Sequence, residues 1–532
     1  MLIGDALRRS AGNYPDKLAV RDEYGKHFPA GTGYTYRELN ERVNRLGNSL
    51  LSLGLKRGDR VAVQTGTGMG YFLSLFALAK AGLAIAPIDR TFMADEIVYQ
   101  IQDSAARGFI VDEDIYREKI APIRDGRLGS VEFFIGIGDG AGCDYAFDDL
   151  LRSGSLQEPG VDPNEEDPAT LIYTSGTTGK PKGVPLTHRN WTFSATVWAG
   201  ELGIHPYTRW LLIMPMHTSG GTGLSITSVV CGCSLVLTPP DPQRVLGLIA
   251  REKITFTQFS PTLLANVIRH LDAATTDFSH MESWFTSAAP ISAELLAEGA
   301  RYLGRRFIQL YGTTETALLG TVLRPEEVDL EGPLSERLTS IGRACLGYRT
   351  KVVDEEGREV GPGGIGELAV RGEAVAKGYW NRPEAPDFRE GWWYSGDLVR
   401  VDEEGFYYVI DRKKDMIITG GLNVYPREVE DVISSHPAVH LVSVIGVPDE
   451  KWGEAVKAVI VPKEKAEVSE GDILEYCRKR MASYKKPKSV DFIDISEMPM
   501  RGGGYKILRR ELRDRYRKRY EERRRGKAWG AV

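Results

Sequence analysis

Amphipathic helical segments alternate with short β-prone runs along the first part of the chain. The segment that begins at Tyr34 places Leu39, Val43, Leu46 and Leu50 on one helical face. Three helix and strand pairs are predicted in order: the segment from 34 with 60–64, 71–80 with 84–87, and 95–104 with 108–112. Parallel strands need a crossover segment, usually a helix, between them. The alternation therefore predicts an α/β domain with a largely parallel sheet.

The length of 532 residues is too great for one hydrophobic core and predicts at least two domains. A net charge of -5 indicates no general affinity for nucleic acid, so we expect no nucleic-acid partner. The apolar stretch 71–88 is interrupted by Lys80, which favours a buried helix followed by a strand over a transmembrane segment.

Residues 506–527 hold twelve Lys/Arg and four Asp/Glu. We interpret this tail as a solvated basic helix, with an RNA or membrane contact as the less favoured alternative.

Five scattered cysteines are typical of a reducing compartment. The first residues are charged throughout and contain no apolar signal core, so we expect a cytoplasmic protein. The run 136–141 satisfies the GxGxxA dinucleotide pattern. The residues after it do not open a helix, so we interpret this run as a loop.

Residues 174–183, TSGTTGKPKG, are the strongest local signal. They contain three glycines, four Ser/Thr hydroxyls and two lysines after the β-prone run 171–173. Glycines allow close approach of the backbone to an anion, while hydroxyls and lysines bind its oxygens. The spacing is not that of a Walker loop, because two residues rather than four separate Gly176 from Gly179. The composition favours a phosphate-binding loop over a flexible surface turn.

This run of ten residues resembles the signature of the adenylate-forming superfamily, which includes acyl-CoA synthetases, peptide-synthetase adenylation domains and firefly-type luciferases. The resemblance covers about residues 34–512. It implies that ATP is a substrate and that the loop binds it. The implied nucleotide-binding residues of the loop are Thr174, Ser175, Gly176, Thr177, Thr178, Gly179 and Lys182.

The run 311–315, YGTTE, follows a predicted strand at 306–310 and resembles the second motif of the superfamily. The carboxyl ends of strands in open α/β sheets are where ligands bind. By resemblance Tyr311, with Gly312 and Thr313, flanks the adenine. Thr314 bonds the α-phosphate, and Glu315 holds Mg²⁺, which prefers hard oxygen ligands. Ala288, Ala289 and Pro290 resemble the segment of the superfamily that borders the adenine.

From residue 365 the chain turns to glycine and short strands, which predicts a β-rich subdomain. Asp397 and Arg412 resemble the two ribose contacts of the superfamily. We expect a large N-terminal domain of mainly parallel sheets over 1–412, and a small, mobile α+β domain over 413–532. The resemblance implies that the small domain rotates about Lys414. Gly420 and Gly421 either line a channel for the pantetheine arm of coenzyme A or form an ordinary tight turn.

The last motif of the superfamily usually reads PRxPTGK, with five residues between the first Pro and the catalytic Lys. Here six residues separate Pro499 from Lys506, and Gly504-Tyr505 replaces Thr-Gly. The next residues, 507–510, fit the superfamily, so we align Lys506 as the catalytic lysine. The alternative is a surface lysine on a glycine-rich loop in a weakened enzyme.

The resemblance implies an ATP-dependent carboxylic acid:CoA ligase that works through an acyl-AMP. The place of His217 matches a residue that lines the junction of the acyl pocket and the thiol channel. The glycines at 220, 221 and 223 are expected to leave room for an aromatic or medium-chain acid. The alternatives are an acyl-AMP ligase that loads a carrier protein and a non-catalytic nucleotide-binding paralogue. The sequence leaves a homodimer open.

Overall fold

The computed structural model describes the chain except for residues 141, 175–179, 272–276, 288–290, 465, 502–505 and 530–532. The side chains of 501, 506 and 521–529 also lie outside the description. The chain packs as two compact units. The first is Met1–Thr350 with Ala369–Tyr394, and the second is Lys351–Leu368 with Ser395–Val532. The predicted division between 412 and 413 stays a prediction, because packing does not test where the chain rotates.

The strands, in chain order, are β1 (Leu18–Asp22), β2 (Thr32–Thr35), β3 (Arg60–Gln64), β4 (Ala84–Pro87), β5 (Gly108–Asp112), β6 (Phe133–Ile137), β7 (Tyr145–Ala146), β8 (Pro168–Thr174), β9 (Lys182–Thr187), β10 (Arg209–Leu212), β11 (Ser234–Leu237), β12 (Phe256–Phe259), β13 (Ser283–Thr286), β14 (Phe307–Tyr311), β15 (Thr321–Leu323), β16 (Arg343–Ala344), β17 (Tyr348–Val353), β18 (Ile365–Gly372), β19 (Phe388–Arg389), β20 (Trp392–Val401), β21 (Tyr407–Arg412), β22 (Ile417–Thr419), β23 (Leu422–Val424), β24 (Val439–Asp449), β25 (Gly453–Pro462), β26 (Ser489–Phe492), β27 (Met500–Arg501) and β28 (Lys506–Ile507).

The helices are α1 (Ile3–Asn13), α2 (Tyr36–Ser52), α3 (Met69–Lys80), α4 (Ala94–Ser104), α5 (Glu113–Ile115), α6 (Arg124–Arg127), α7 (Phe147–Ser153), α8 (His188–Leu202), α9 (Ser219–Val230), α10 (Pro242–Arg251), α11 (Pro261–Arg269), α12 (Ala293–Leu303), α13 (Pro426–Ser434), α14 (Glu470–Arg478) and α15 (Arg509–Trp529). Shorter helical turns lie at Tyr116–Ile120, Ala121–Ile123, Thr314–Thr316, Pro325–Glu327, Ser335–Thr339 and Ile495–Glu497.

A seven-stranded sheet in the first unit has the order β7-β6-β5-β3-β4-β8-β9. The pairs from β7 to β8 are parallel, and the last pair, β8 with β9, is antiparallel. This confirms the largely parallel sheet predicted from the alternation of helices and strands. The four predicted apolar positions of α2 are fully buried, as the helical period requires: Leu39, Val43, Leu46 and Leu50.

A nine-stranded sheet, also in the first unit, has the order β16-β15-β14-β13-β12-β10-β11-β1-β2. Its central strands, from β14 to β1, pair in parallel, and its two ends are antiparallel. Every residue of α3 is buried, which confirms the predicted buried helix. Within the described residues, no helix combines the length and apolar character that a bilayer crossing requires.

The second unit contains the sheet β23-β22-β25-β24, in which β26 pairs with β25. Alternate residues of its strands point to opposite faces. One face, with Val444 and Ile460, packs against α13 and α14. The other face, with Ile445 and Val461, buries Leu512 and Tyr516 of α15. The predicted α+β module is therefore confirmed, although the sequence did not indicate β26.

The predicted segments differ from the structure mainly at their ends. The strand expected at 210–215 is Arg209–Leu212, and the chain leaves the sheet before Pro215, which has no N–H to donate to a neighbouring strand. The helix expected at 470–481 ends at Arg478. Residues 136 and 137 of the dinucleotide-like run end β6, and the next helix, α7, begins only at Phe147, which agrees with the predicted loop. Residue 141 of this run lies outside the described residues.

Candidate active site

The candidate phosphate loop joins two strands of one hairpin. Strand β8 ends at Thr174 and β9 begins at Lys182, and these two residues are paired in the antiparallel ladder. The hairpin forms the edge of the seven-stranded sheet, next to β4. The loop residues Ser175, Gly176, Thr177, Thr178 and Gly179 lie outside the described residues. The sequence thus located the loop correctly after a strand but did not indicate β9, and the roles of the loop residues stay predictions.

The ammonium of Lys182 is buried in an ion pair that the sequence did not indicate. Its Nζ lies 2.8 Å from Oδ2 of Asp387 and 4.5 Å from the centre of the Tyr379 ring. Only 8% of the Lys182 side chain is exposed. Asp387 follows the RPE run at 382–384, and nothing in its local sequence points to a lysine 205 positions earlier. The charge of Lys182 is therefore already balanced within the protein.

The YGTTE run lies at the carboxyl end of β14, as predicted, and there it forms a tight turn. A Cβ at Gly312 would overlap the carbonyl of Leu318, so a glycine is required where the chain doubles back. Ala317 and Leu318 follow with φ of 47° and 79°. Such backbone angles are costly for residues with side chains and concentrate at functional sites. The hydroxyl of Thr313 is buried and has no hydrogen-bond partner in the part of the chain that the structure describes.

The turn after β14 contacts the start of α9. The hydroxyl of Thr314 donates to Oγ of Ser219, at 2.9 Å. The side chain of Thr218 caps α9 by accepting from the backbone N–H of Gly221. His217 directly precedes this cap. This hydrogen bond places the turn that contains Thr314 and Glu315 beside the segment that begins at His217, and the site roles of these residues stay predictions. Ser219 was not among the predicted site residues.

His217 has a carboxylate partner in the other large sheet. Its Nε2 lies 3.4 Å from Oδ2 of Asp89, in the loop after β4. Both side chains are largely buried. Burial alone would raise the pKa of Asp89, but hydrogen bonds from His217 and Thr91 and the charge of His217 hold it well below its usual range. Asp89 was missed, because a lone aspartate after a strand carries no distinctive sequence signal.

Glu315 is the candidate Mg²⁺ ligand, and its side chain is held in place. The residue is 7% exposed. The hydroxyl of Tyr379 donates to its Oε1, at 3.0 Å. Strand β9 packs beside the turn that contains Glu315. A carboxylate next to a phosphate loop and the hydroxyl of Thr314 supplies the hard oxygen that Mg²⁺ requires, so these residues fit the ion.

The three glycines at the start of α9 do not leave space in the presumed acyl pocket, and this part of the prediction is wrong. A Cβ at Gly220 would meet Cε of Met214 at 2.7 Å, and a Cβ at Gly221 would overlap the carbonyl of Pro215. A Cβ at Gly223 would overlap the Trp191 ring and approach Leu318. Neighbouring atoms already fill the volume that the missing side chains leave. These glycines allow close packing of α9 instead.

The two candidate ribose contacts pair with each other in the second unit. Asp397 in β20 lies opposite Arg412 in β21, and Nε of Arg412 is 3.1 Å from Oδ1 of Asp397. Ser395 accepts a hydrogen bond from the backbone N–H of Asp397. Lys414, the candidate hinge, follows β21, and its carbonyl accepts from Arg513. A carboxylate beside a guanidinium can accept from vicinal hydroxyls, which is compatible with the predicted role.

Gly420 and Gly421 form the two-residue turn between β22 and β23, with φ of 59° and 80°. Two successive positive φ angles are typical of a type I′ hairpin and favour glycine. A Cβ at Gly420 would meet the Trp452 ring at 2.7 Å, whereas a Cβ at Gly421 would meet nothing within 4 Å. The tight turn is therefore present, and Gly421 presents an open face.

The backbone of Lys506 lies in β28, opposite Arg501 of β27. The Lys506 side chain and the loop 502–505 lie outside the described residues, as do Ala288, Ala289 and Pro290. Three residues later, Arg509 forms ion pairs with Asp411, at 3.2 Å, and with Glu430. Burial by itself would lower the pKa of Arg509, but the charges of Glu430 and Asp411 raise it above its ordinary value. The sequence did not indicate that Arg509 forms these ion pairs.

Comparisons with known proteins show the family of the chain. Residues 7–380 match the family model of the AMP-binding enzymes, and 428–504 match the model of the AMP-binding enzyme C-terminal domain. The chain is 36% identical over 520 residues to the feruloyl-CoA synthase of an Amycolatopsis species, covering 97% of this chain and 99% of the relative. It is 35% identical over 486 residues to the long-chain-fatty-acid--CoA ligase FadD13 of Mycobacterium tuberculosis, covering 91% and 93%.

A solved structure extends the likeness to three dimensions. The o-succinylbenzoate coenzyme A synthetase of Bacillus subtilis, in complex with ATP and a magnesium ion, aligns with a TM-score of 0.82 at 30% identity. The alignment covers 95% of this chain and 98% of that one. On the match of its two family models and its full-length relatives, this chain belongs to the AMP-binding enzymes of the adenylate-forming superfamily and is similar to their free-standing acyl-CoA synthetases.

Proposed function

We propose that this protein is an ATP-dependent carboxylic acid:CoA ligase, which forms an acyl-AMP, releases pyrophosphate and transfers the acyl group to coenzyme A with release of AMP. The observation that carries the proposal is the contact between Thr314 and Ser219. This contact places the candidate phosphate residues of the YGTTE turn beside the α9 segment that follows His217. Activation of the acid and acylation of the thiol both require these two segments to lie side by side.

The first half-reaction needs charge control more than covalent chemistry. A carboxylate is a poor acyl donor, because oxide would be its leaving group. Its oxygen attacks the α-phosphate of ATP in line with the departing pyrophosphate, so several anionic groups must be held together. We assign Thr314 to the α-phosphate and Lys506 to the charge that develops there. Glu315 would hold Mg²⁺, which when bound neutralises phosphate oxygens.

In the second half-reaction the thiol of coenzyme A attacks the acyl-AMP carbonyl. We assign His217 to the junction between the acyl pocket and the thiol channel. Asp397 and Arg412 are assigned to the ribose hydroxyls, and Gly421 to the wall of the pantetheine channel. Rotation of the small domain about Lys414 would exchange the Lys506 loop for this turn, since both can hardly occupy one small site together.

The acid is proposed to be aromatic or of medium to long chain. The glycines of α9 give no support to this choice, because their neighbours fill the space. The support comes from the full-length relatives, which are named for ferulic and long-chain fatty acids.

The five cysteines form no disulfide, which fits the reducing cytoplasm that we propose as the location. Light scattering after size-exclusion chromatography would show whether the enzyme is a homodimer.

Pyrophosphate release tests the proposal. Purified protein is mixed with MgATP and each member of an acid panel: acetate, octanoate, palmitate, benzoate and ferulate. Coenzyme A is then added, and the thioester is measured by mass spectrometry. Glu315→Gln, prepared in parallel, controls for contaminating synthetases. We expect acid-dependent pyrophosphate release and a coenzyme A thioester for at least one aromatic or longer-chain acid.

Two outcomes would overturn the proposal. Pyrophosphate release without a coenzyme A thioester, but with transfer to a phosphopantetheinyl carrier protein, would identify a carrier-loading ligase. No pyrophosphate release with any acid, despite measurable ATP binding, would identify a non-catalytic nucleotide-binding protein.

A further inference from the structure

We propose that Tyr379 is a positioning residue for the carboxylate of Glu315, and that residues 373–382, which we call the strap, tie this carboxylate to the phosphate hairpin. The inference deepens the proposed function and rests on it, because Glu315 is the candidate metal ligand of adenylation. It assigns a role to a segment that the motifs identified from the sequence leave out.

The strap holds Glu315 at two points. The backbone N–H of Ala376 donates to the carbonyl of Glu315, at 2.8 Å. The hydroxyl of Tyr379 donates to Oε1 of the same residue, at 3.0 Å. The first bond fixes the main chain of Glu315, and the second fixes the rotation of its carboxylate. A phenol is a neutral donor at ordinary pH, so it orients the carboxylate without neutralising its charge.

The ring of Tyr379 is itself held on its sides. Tyr379 is 8% exposed, and its ring meets the ring of Phe388 edge to face at 5.1 Å. The ammonium of Lys182, from the start of β9, lies 4.5 Å from the ring centre. This ammonium also forms an ion pair with Asp387, whose carbonyl accepts from the backbone N–H of Tyr394 in β20. The hydroxyl therefore has a defined direction toward Glu315.

The strap continues directly onto the phosphate hairpin. The backbone N–H of Trp380 donates to the carbonyl of Gly183, at 2.8 Å. A Cβ at Gly183 would meet Cβ of Trp380 at 3.3 Å, so the two chains are in close contact. The indole of Trp380 donates to the carbonyl of Asp103, and Arg382 donates to the hydroxyl of Tyr99. One short segment thus contacts Gly183 at one residue and Glu315 at its neighbour.

This arrangement predicts a specific effect. Groups that orient a metal ligand by a hydrogen bond typically change metal affinity by about 10- to 100-fold when they are removed. Loss of the Tyr379 hydroxyl lets the Glu315 carboxylate rotate, so the metal requirement of adenylation rises. Conversion of supplied acyl-AMP to the thioester involves neither ATP nor pyrophosphate, so we expect this half-reaction to change little.

The test uses Tyr379→Phe, which removes one oxygen and keeps the packed ring. Tyr36→Phe is the control, because it removes a buried hydroxyl that donates to the carbonyl of Cys233 rather than to Glu315. Mn²⁺ binding to the full-length protein with a non-hydrolysable ATP analogue is measured by electron paramagnetic resonance. The Mg²⁺ concentration at half-maximal acyl-AMP formation is measured alongside. We expect the dissociation constant for Mn²⁺ and the Mg²⁺ concentration at half-maximal rate to rise about 10- to 100-fold in Tyr379→Phe and to stay unchanged in Tyr36→Phe.

A double-mutant cycle separates positioning from general loss of structure. If Tyr379 acts through Glu315, Tyr379→Phe adds no further loss of Mn²⁺ affinity to Glu315→Gln. Additive losses, or an unchanged Mn²⁺ affinity in Tyr379→Phe, would overturn the inference. Failure of the proposed function looks different, since the unmodified enzyme would then form no acyl-AMP with any acid.

Discussion

The imidazole of His217 and the carboxylate of Asp89 face each other at 3.4 Å, one from the loop after β10 and the other from the loop after β4. These strands belong to different sheets, so the pair joins the ends of the nine-stranded and seven-stranded sheets. Oδ1 of Asp89 also accepts from the backbone N–H and the hydroxyl of Thr91, both at 2.8 Å. The carboxylate is therefore fixed and can hold the ring of His217.

Asp89→Asn tests this relationship. The amide keeps the shape but loses the charge that attracts His217, so we expect thioester formation to fall more than adenylation, by about tenfold or more. The two half-reactions are measured separately, as acyl-AMP formation and as conversion of supplied acyl-AMP. Asp95→Asn, in the first turn of α4, is the control because that side chain is 90% exposed. Equal losses in both half-reactions would refute the assignment.

Lys506→Ala tests the alignment of the shifted last motif. Loss of one preorganised electrostatic contact typically lowers a rate by about 10²- to 10³-fold. We expect acyl-AMP formation to fall by this amount while supplied acyl-AMP is still converted to thioester. Lys518→Ala, an exposed lysine on α15, should leave both steps unchanged. A fully active Lys506→Ala enzyme would show that the motif is misaligned.

Asp397→Ala tests the ribose contact. Such a contact is present in the ground state and in the transition state alike, so its loss should raise the KM for ATP more than it lowers kcat. The variant also leaves Arg412 without the partner at 3.1 Å, so Arg412→Ala is measured beside it. Steady-state kinetics with ATP as the varied substrate decide the matter. An unchanged KM for ATP in Asp397→Ala would exclude the ribose role.

Gly421→Asn tests the pantetheine channel more cleanly than a bulky aliphatic residue would. Asn tolerates the φ of 80° at this position, so the turn persists while a side chain enters the open face. We expect adenylation to be spared and thioester yield to fall. Gly420→Asn is not a suitable control, because its side chain meets Trp452. Unchanged thioester yield in Gly421→Asn would leave the glycines as turn residues alone.

His188 predicts a loss of stability in mild acid. It is fully buried, and its Nδ1 accepts from the backbone N–H of Ile3. Burial lowers its pKa from 6.5 to about 4, despite the opposing charges of Asp167 and Asp5. The folded state therefore favours neutral His188. The depressed pKa contributes roughly 3 kcal/mol to the free energy of unfolding, and this stability is present above pH 6.5 and lost as the pH falls toward 4.

Thermal unfolding between pH 7 and pH 4 checks this sign. We expect the Tm to fall through the window and the fall to be smaller in His188→Asn. His270→Gln is the control, since His270 is exposed on the surface. A pH profile that His188→Asn leaves unchanged would contradict the assignment.

Local signals predicted much of the fold and part of the site. The helical period of α2 and the β-prone runs of β3, β4 and β5 predicted the positions of these elements, because the pattern of apolar residues that each element buries is visible in neighbouring residues of the sequence. The phosphate loop and the YGTTE turn were located by their short contiguous motifs, which resemble those of the superfamily. The partners of these motifs were not. Tyr379, Asp387 and Ser219 reach the site from far along the chain, and only tertiary packing brings them there.

The glycines of α9 show a second limit of prediction from the sequence. A sequence shows where side chains are missing, but not what occupies the volume beside them. Met214 and Trp191 fill that volume here, so the inferred room was wrong. The Gly420-Gly421 turn was left open between two interpretations, and the positive φ angles add only that the turn exists.

The strand that contains Lys506 is held from both sides. Arg501 pairs with Lys506 across β27 and β28, and Arg509 joins Asp411 and Glu430 three residues later. On the proposed alignment, the additional residue of the motif lies between these two fixed positions. Extending a loop of three residues to four costs only about 0.3 kcal/mol of closure entropy. On the proposed alignment of Lys506, we therefore expect the additional residue of this motif to cost little stability and to leave the position of the lysine to its two fixed flanks.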